Sequence, residues 1–193
     1  MTVRLRDIAD IRSGYSFRGR VDNDPAGDLG VVSMRDIVPD QPIDPEQLVY
    51  IDSTSLNDVE KYRLREGDVV FQSRGYHNRA AIVGRPLNAI ASLGLYNIRA
   101  KPERALGFFI AWFFNQPRTQ NRIASLAQGT QIPFVTRAEL ALLSVPLPKM
   151  EVQKQIAEMY MVRAKQRHLQ KKLDSTTDKL INKITWELAS SNS

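Results

Sequence analysis

The sequence contains no cysteine, and that one absence removes disulfide staples, thiolate metal sites and a thiol nucleophile together. Histidine is almost as scarce: His77 and His168 are the only two, too few for a histidine cluster, so no metal site is expected. No run approaches the roughly 18 apolar residues that a membrane span needs. The opening MTVRLRDIAD lacks both the apolar stretch and the small-residue cleavage site of an export signal, which points to a cytoplasmic protein. The signatures of common catalysts are also missing. There is no G-x-x-x-x-G-K-[ST] phosphate loop, no G-x-G-x-x-G fingerprint and no G-x-S-x-G nucleophile elbow. No Asn-Pro-Pro or Asp-Pro-Pro segment offers the signature of an amino-methyltransferase, and no lysine follows an Asp or Glu by two residues, as in many metal-dependent nucleases. Asp36, Asp40, Asp44 and Asp52 fall in turn-like segments, where a turn-forming or solvated role is expected. No residue is therefore assigned to catalysis, and no cofactor is expected on this chain.

Lysine is rare where arginine is common. Residues 1–150 hold sixteen Arg and three Lys, whereas residues 151–193 hold two Arg and six Lys, and each part nets +3 of the total +6. A basic chain suits a polyanionic partner, and the planar fork of Arg can pair two acceptors on guanine or phosphate, so a nucleic acid is a candidate ligand, the alternative being that the Arg richness reflects a GC-rich genome. Proline and glycine are lacking throughout residues 151–193. Some 39 helical residues from Glu151 to about Ala189 would form a rod of roughly 58 Å, far longer than an ordinary globular helix.

The length of 193 residues fits one well-buried domain with an appended element. The first 100 residues read as short strands between turns, with apolar runs at 30–34, 48–51, 68–72, 80–84 and 95–98, as expected of a curled, mostly antiparallel sheet. Leu106, Phe109, Ile110 and Phe113 recur at helical spacing within 104–115, and Phe108, Trp112 and Phe114 make that helix apolar nearly all round, which most simply means burial in the core, an interaction face being the alternative. Pro117 can open a second helix through Ala127, with Gly129 as its stop. Thr136-Arg137-Ala138-Glu139 has the spacing of a capping box, and Val145-Pro146-Leu147-Pro148 forces an extended segment. The fold class is thus α+β: a domain over 1–149, then a long coiled-coil helix over 150–193.

That helix carries an apolar seam, Val152, Ile156, Met159, Leu173, Leu180, Ile184 and Leu188, flanked by Tyr160, Leu169 and Ile181. Arg163, Gln166, Gln170 and Thr177 interrupt it. Polar seam positions weaken a zipper but fix register and orientation, so a defined and antiparallel pairing is favoured over a generic parallel one. The alternative is a helix that packs only on its own domain. Three polar segments suit DNA contact. Arg12-Ser13-Gly14-Tyr15-Ser16-Phe17-Arg18-Gly19-Arg20 offers Arg12, Ser13, Tyr15, Arg18 and Arg20. Gln72-Ser73-Arg74-Gly75-Tyr76-His77-Asn78-Arg79 offers every residue but Gly75, and Gln128, Thr130 and Gln131 follow the second helix. Gln and Asn pair two ways with adenine, Arg with guanine, and Ser with phosphate. The plain alternatives are a hairpin turn built on Gly75 and Asn78, and a helix stop at Gly129.

Taken in order, these pieces resemble the specificity subunits of type I restriction-modification systems. The resemblance rests on Ala127-Gln128-Gly129-Thr130-Gln131, then Phe134-Val135-Thr136-Arg137-Ala138-Glu139-Leu140, then Leu143-Ser144-Val145-Pro146-Leu147-Pro148, then Glu151-Val152-Gln153-Lys154-Gln155-Ile156. Ile11 to Gly19 and Leu64 to Phe71 agree with it. The resemblance implies a non-catalytic protein whose usual form has two target-recognition domains, each reading half of a split DNA sequence, separated by two antiparallel helices that act as a ruler and dock methyltransferase subunits. S-adenosylmethionine would belong to the modification subunit, and cleavage to a translocating nuclease subunit. With one recognition domain and one helix, this chain resembles half of such a subunit. Either two copies pair through the helix to read an inverted repeat, or the chain awaits another half. A regulator or decoy that binds the methyltransferase without reading DNA, and a recognition component of another phage-defence system, are the competing readings.

Overall fold

The computed structural model describes residues 1–129 and 131–190. The chain opens with β1 (Thr2–Arg4), a single helical turn α1 (Leu5–Ile8) and β2 (Ala9–Ser13). Short strands follow: β3 (Leu29–Val32), β4 (Val49–Ile51), β5 (Val69–Gln72), β6 (Ala80–Ile82), β7 (Ala89–Ala91) and β8 (Leu95–Ala100). Then come α2 (Gly107–Phe114), α3 (Pro117–Leu126), α4 (Arg137–Ala141), β9 (Ser144–Pro146) and α5 (Met150–Ser190). No helix among the described residues is long and apolar enough to cross a membrane.

Three sheets form, in the orders β1-β9, β2-β8-β5-β6 and β4-β3-β7. Every ladder is antiparallel except β3 with β7, which pair in parallel from Gly30 opposite Ala89 to Val32 opposite Ala91. The alternation of side chains along a strand explains the layers. Val69, Phe71, Ala80 and Ile82 face the helices, where Phe109, Ile110, Phe114 and Ile123 complete one core. Their neighbours Val70, Ala81 and Val83 face the other way, against Val32, Ile37, Ile43, Ala89 and Leu95. A strand buried on both faces has to be apolar at every position, which accounts for the run Val69-Val70-Phe71. Phe71 and Phe114 meet with ring centroids 4.9 Å apart, a contact that adds roughly 1 kcal/mol beyond the area it buries.

Several local expectations are met and others corrected. Pro117 stands at the first turn of α3, and Thr136 and Glu139 form the reciprocal capping box of α4. The apolar run at 30–34 ends as a strand at Val32, because the Asp36 carboxylate accepts both the Ser33 N–H (2.8 Å) and hydroxyl (2.7 Å) and turns the chain into a 3-10 turn, Met34–Asp36. Gly129 is not the stop of α3. That helix ends at Leu126, with Ala127 already extended, and Gly129 at φ +95° serves the next turn, closed by paired Gln128–Phe134 backbone bonds of 2.8 Å. The cause is competition: Gln128 gains a strand-like partner in Phe134 before a helical C-cap can form.

The first part of α5 docks on the domain through Gln153, Ala157, Tyr160 and Ala164, positions spaced to share one side of a helix. Gln153 is 1% exposed, and its amide accepts the Leu106 N–H (3.1 Å) and donates to the carbonyls of Arg104 (3.0 Å) and Pro148 (3.1 Å). Leu106 is the N-cap of α2 and makes no side-chain cap, so α5 satisfies a helix end that α2 leaves open. Further along, Asn115 donates to the Tyr160 hydroxyl at 3.1 Å, and Arg167 pairs with Asp40, whose φ of 60° is left-handed. Gln153→Ala would strand one buried donor and two acceptors. It is expected to cost about 2–3 kcal/mol and to lower the melting temperature by roughly 5–10 °C, measurable by thermal unfolding of the purified chain.

Candidate nucleic-acid interface

Strand direction gathers the polar segments at one end of the molecule. β2 ends at Ser13 opposite Tyr96, β5 ends at Gln72 opposite Leu95, and β6 begins at Ala80 opposite Phe71, so the connections leaving Ser13 and Gln72 and the turn entering Leu95 all emerge from the same edge. The Ser92–Leu95 turn lies between them. On one side Gly14 N–H donates to the Leu95 carbonyl (2.9 Å) and Tyr15 N–H to the Ala91 carbonyl (2.7 Å). On the other, Ser73 donates its N–H (2.9 Å) and hydroxyl (2.8 Å) to the Gly94 carbonyl.

The segment after α3 joins the same surface. Gly75 N–H donates to the Pro133 carbonyl (2.8 Å), Val135 N–H to the Ser73 carbonyl (2.9 Å), and the Tyr76 hydroxyl to the Gln131 carbonyl (3.1 Å). Three stretches separated by up to a hundred residues of chain thus form one face.

Burial sorts the predicted contact residues. Arg12, Ser13, Arg18, Arg20, Arg74, Tyr76, His77, Arg79, Gln128 and Gln131 are exposed. Ser73 and Asn78 are 4% and 6% exposed and hold the loop together: Asn78 donates to the Gln72 carbonyl (3.1 Å), and its own carbonyl accepts from Gln120 (2.7 Å). Gln72 is half-buried, with its amide on the Arg74 carbonyl at 3.1 Å. Tyr15 is half-buried against Phe17 and Tyr62, with centroids at 4.9 and 5.1 Å. Thr130 lies outside the described residues. Gln128 donates to Glu139 at 2.6 Å, and the Thr136 hydroxyl and N–H hold the Glu139 carboxyl below the usual carboxylate range.

Acidic groups near this face are engaged: Asp36 with Ser33 and Arg35, Asp22 with Arg20. The exposed arginines Arg12, Arg18, Arg74 and Arg79 therefore give the face a positive character. Sequence reasoning missed the apolar members of this surface. Met34, Leu93, Ile132 and Phe134 are all exposed here, and only the three-dimensional meeting of distant turns shows that they belong together.

On α5 the predicted seam faces away from the domain. Successive residues turn by about 100°, so Val152, Met159, Val162, Leu169, Leu173, Leu180 and Ile184 form a stripe centred about 160° from the docked side of Gln153, Ala157, Tyr160 and Ala164. Every residue of that stripe is exposed, Met159 at 74% and Leu173 at 61%, as is Leu188, while Ile156 is half-buried at its margin. Ile156 and the flanking Tyr160 instead pack on the domain core, and the rest of the predicted seam is separate from the surface that binds α5 to its own domain.

Comparison with known proteins agrees with this architecture. The family described as "Type I restriction modification DNA specificity domain" matches residues 1–185. A protein of Methanocaldococcus jannaschii named as the specificity subunit of the type I restriction enzyme MjaX is 26% identical over 162 residues, which is 80% of this chain and 37% of that protein. The crystal structure of the S subunit of a type I restriction-modification system from M. genitalium has a similar fold, with a TM-score of 0.66 at 14% identity over 93% of this chain and 43% of that one. The HsdS subunit of Thermoanaerobacter tengcongensis gives 0.59 at 20% identity over 86% and 37%. The chain spans about two fifths of the length of these relatives. With an α+β domain, one long helix and a family match over nearly its whole length, the chain belongs to the type I restriction modification DNA specificity domain family.

Proposed function

We propose that this chain is a non-catalytic, DNA-reading half of a type I specificity subunit. Residues 1–149 act as a target-recognition domain that reads one half-site through the face formed by the 12–20, 72–79, 92–95, 128–129 and 131–134 segments. The helix over 150–193 pairs antiparallel with the helix of a second copy and docks the methyltransferase subunit, which binds S-adenosylmethionine and modifies the DNA; a translocating nuclease subunit is the further partner in a restricting complex. The observation that carries the reading is the meeting of the three arginine- and glutamine-bearing segments at one end of the sheet, the second and third fastened directly by backbone bonds and the first through the Ala91–Leu95 turn. Phosphate contacts from exposed arginines supply affinity, and side chains at base edges supply sequence preference.

Two copies related by a twofold axis read an inverted repeat with a non-specific spacer, and the paired helices hold the half-sites about one helical turn of DNA apart. Selection from a random duplex pool by the full chain, alone and with its methyltransferase subunit, tests this. A gapped inverted repeat is expected, and a single ungapped asymmetric target contradicts the twofold arrangement. Arg74→Ala is expected to relax preference at one base pair of each half-site by about 1–3 kcal/mol, read by competition binding. If instead Arg74 touches only phosphate, binding weakens equally on every sequence and the salt slope falls by about 1.

A further inference from the structure

The reading face carries hydrocarbon that the fold does not need. Ser92 to Leu95 is a β-turn closed by the Leu95 N–H on the Ser92 carbonyl at 3.2 Å, with Gly94 at φ +93°, the left-handed conformation that the third position of a type II turn requires. The second position, Leu93, imposes no such demand, yet it holds a leucine that is 52% exposed. The turn is braced on both flanks, by Ser73 on the Gly94 carbonyl and by Gly14 and Tyr15 on Leu95 and Ala91, so Leu93 sits on a rigid tip between the two arginine segments. Met34 is 44% exposed beside it: its sulfur is 3.7 Å from the Gln72 amide and 3.8 Å from where a Cβ on Gly94 would stand. The Arg74 side chain approaches the same point to 3.7 Å.

We propose that Leu93 and Met34 read the 5-methyl group of a thymine in the major groove, so that each half-site carries a thymine at the position the turn faces. The proposal rests on the DNA-reading role argued above. An apolar tip flanked by exposed Arg74 and Arg35 matches a polyanionic partner with one apolar landmark, and among the base edges of the major groove only thymine presents a methyl group. Hydrogen-bonding side chains cannot recognise that group, whereas leucine and methionine can bury it.

The test uses the full chain and its selected duplex, replacing each thymine in turn with deoxyuridine, which removes the methyl and leaves every hydrogen-bonding group in place. The wild-type chain is expected to lose about fourfold in affinity at one thymine per half-site, the worth of one buried methyl. The Leu93→Ala, Met34→Ala double variant is expected to bind the thymine and deoxyuridine duplexes equally, with an unchanged melting temperature. Uniform tolerance of deoxyuridine by the wild type, a half-site without thymine, or a thymine preference that survives in the double variant each overturns the methyl reader while leaving the DNA-reading role standing. Absence of any sequence-selective binding overturns both.

Discussion

Replacing Leu173 and Leu180 with glutamate is expected to convert the chain from a dimer to a monomer and to lower its affinity for a gapped inverted-repeat duplex by about 100-fold or more. Both leucines lie on the stripe that faces away from the domain, at 61% and 57% exposure. Neither side chain is buried in the protomer, so its folding should be unaffected. In an antiparallel pair, by contrast, each glutamate would be placed in an apolar seam where its charge must be desolvated. The effect on DNA follows from avidity, because two linked half-site readers bind as one ligand and a monomer keeps a single half-site. Light scattering and competition binding on the same samples check both parts. A variant that stays dimeric would separate pairing from this stripe, and a wild-type chain that is monomeric by itself would favour a partner carrying the other half. In such a pair the polar positions Arg163, Gln166, Gln170 and Thr177, all exposed, would supply the orientation that a uniform leucine seam lacks.

The largest stability loss is expected at the opposite end of the four-stranded sheet. Asp68 is 1% exposed, and its carboxylate accepts the Arg65 N–H (2.9 Å), the Asn97 amide (3.0 Å) and two guanidinium bonds from Arg99 (2.8 and 2.7 Å). Asp68→Ala removes the carboxylate that pairs with the largely buried Arg99 guanidinium and strands the Asn97 amide, whose Oδ1 already lacks a partner among the described residues. Truncating one member of a buried, hydrogen-bonded pair costs about 3–5 kcal/mol, mostly from the charge left behind, and lowers the melting temperature by roughly 10 °C in a chain of this size. The Asp68→Ala, Arg99→Met double variant should recover part of the loss, since it removes the stranded charge as well. Base preference should be unchanged in both variants, because Asp68 lies at the start of β5 and the reading face at its end. A shift in preference would show that the two ends of the sheet are coupled.

Features with a strictly local cause were legible in the sequence. The capping box at Thr136 and Glu139, the Pro117 helix start and the uninterrupted helix after Glu151 depend on side chains within a few residues of one another. Boundaries set by long-range competition were not. The 30–34 run stops at Val32 because of a carboxylate three residues on, and α3 ends early because Gln128 pairs with Phe134. β7 was passed over because Ala89-Ile90-Ala91 has little β-branched character, and its strand state comes from its parallel ladder with β3, about sixty residues away.

The candidate contact residues divide in the same way. Composition alone found the exposed Arg74, Tyr76, His77 and Arg79, but it equally chose Ser73 and Asn78, which tertiary packing buries as braces of the loop. Leu93 and Met34 could not be chosen from sequence, since an exposed leucine on a turn has no local signature and only the folding of three turns onto one edge places it among arginines.

What the sequence determined by itself was the absence of thiol chemistry, the order of the helices after residue 104 and the apolar periodicity of the long helix, because these follow from residue identity and from short periodic spacing. The tertiary structure alone decided that α5 turns its seam, apart from Ile156, away from its own domain, which it grips instead with Gln153, Ala157, Tyr160 and Ala164, and that three distant polar segments share a face. The physical reason is that orientation and convergence are set by which surfaces become buried against each other, a property of pairs of segments that no single stretch of sequence contains.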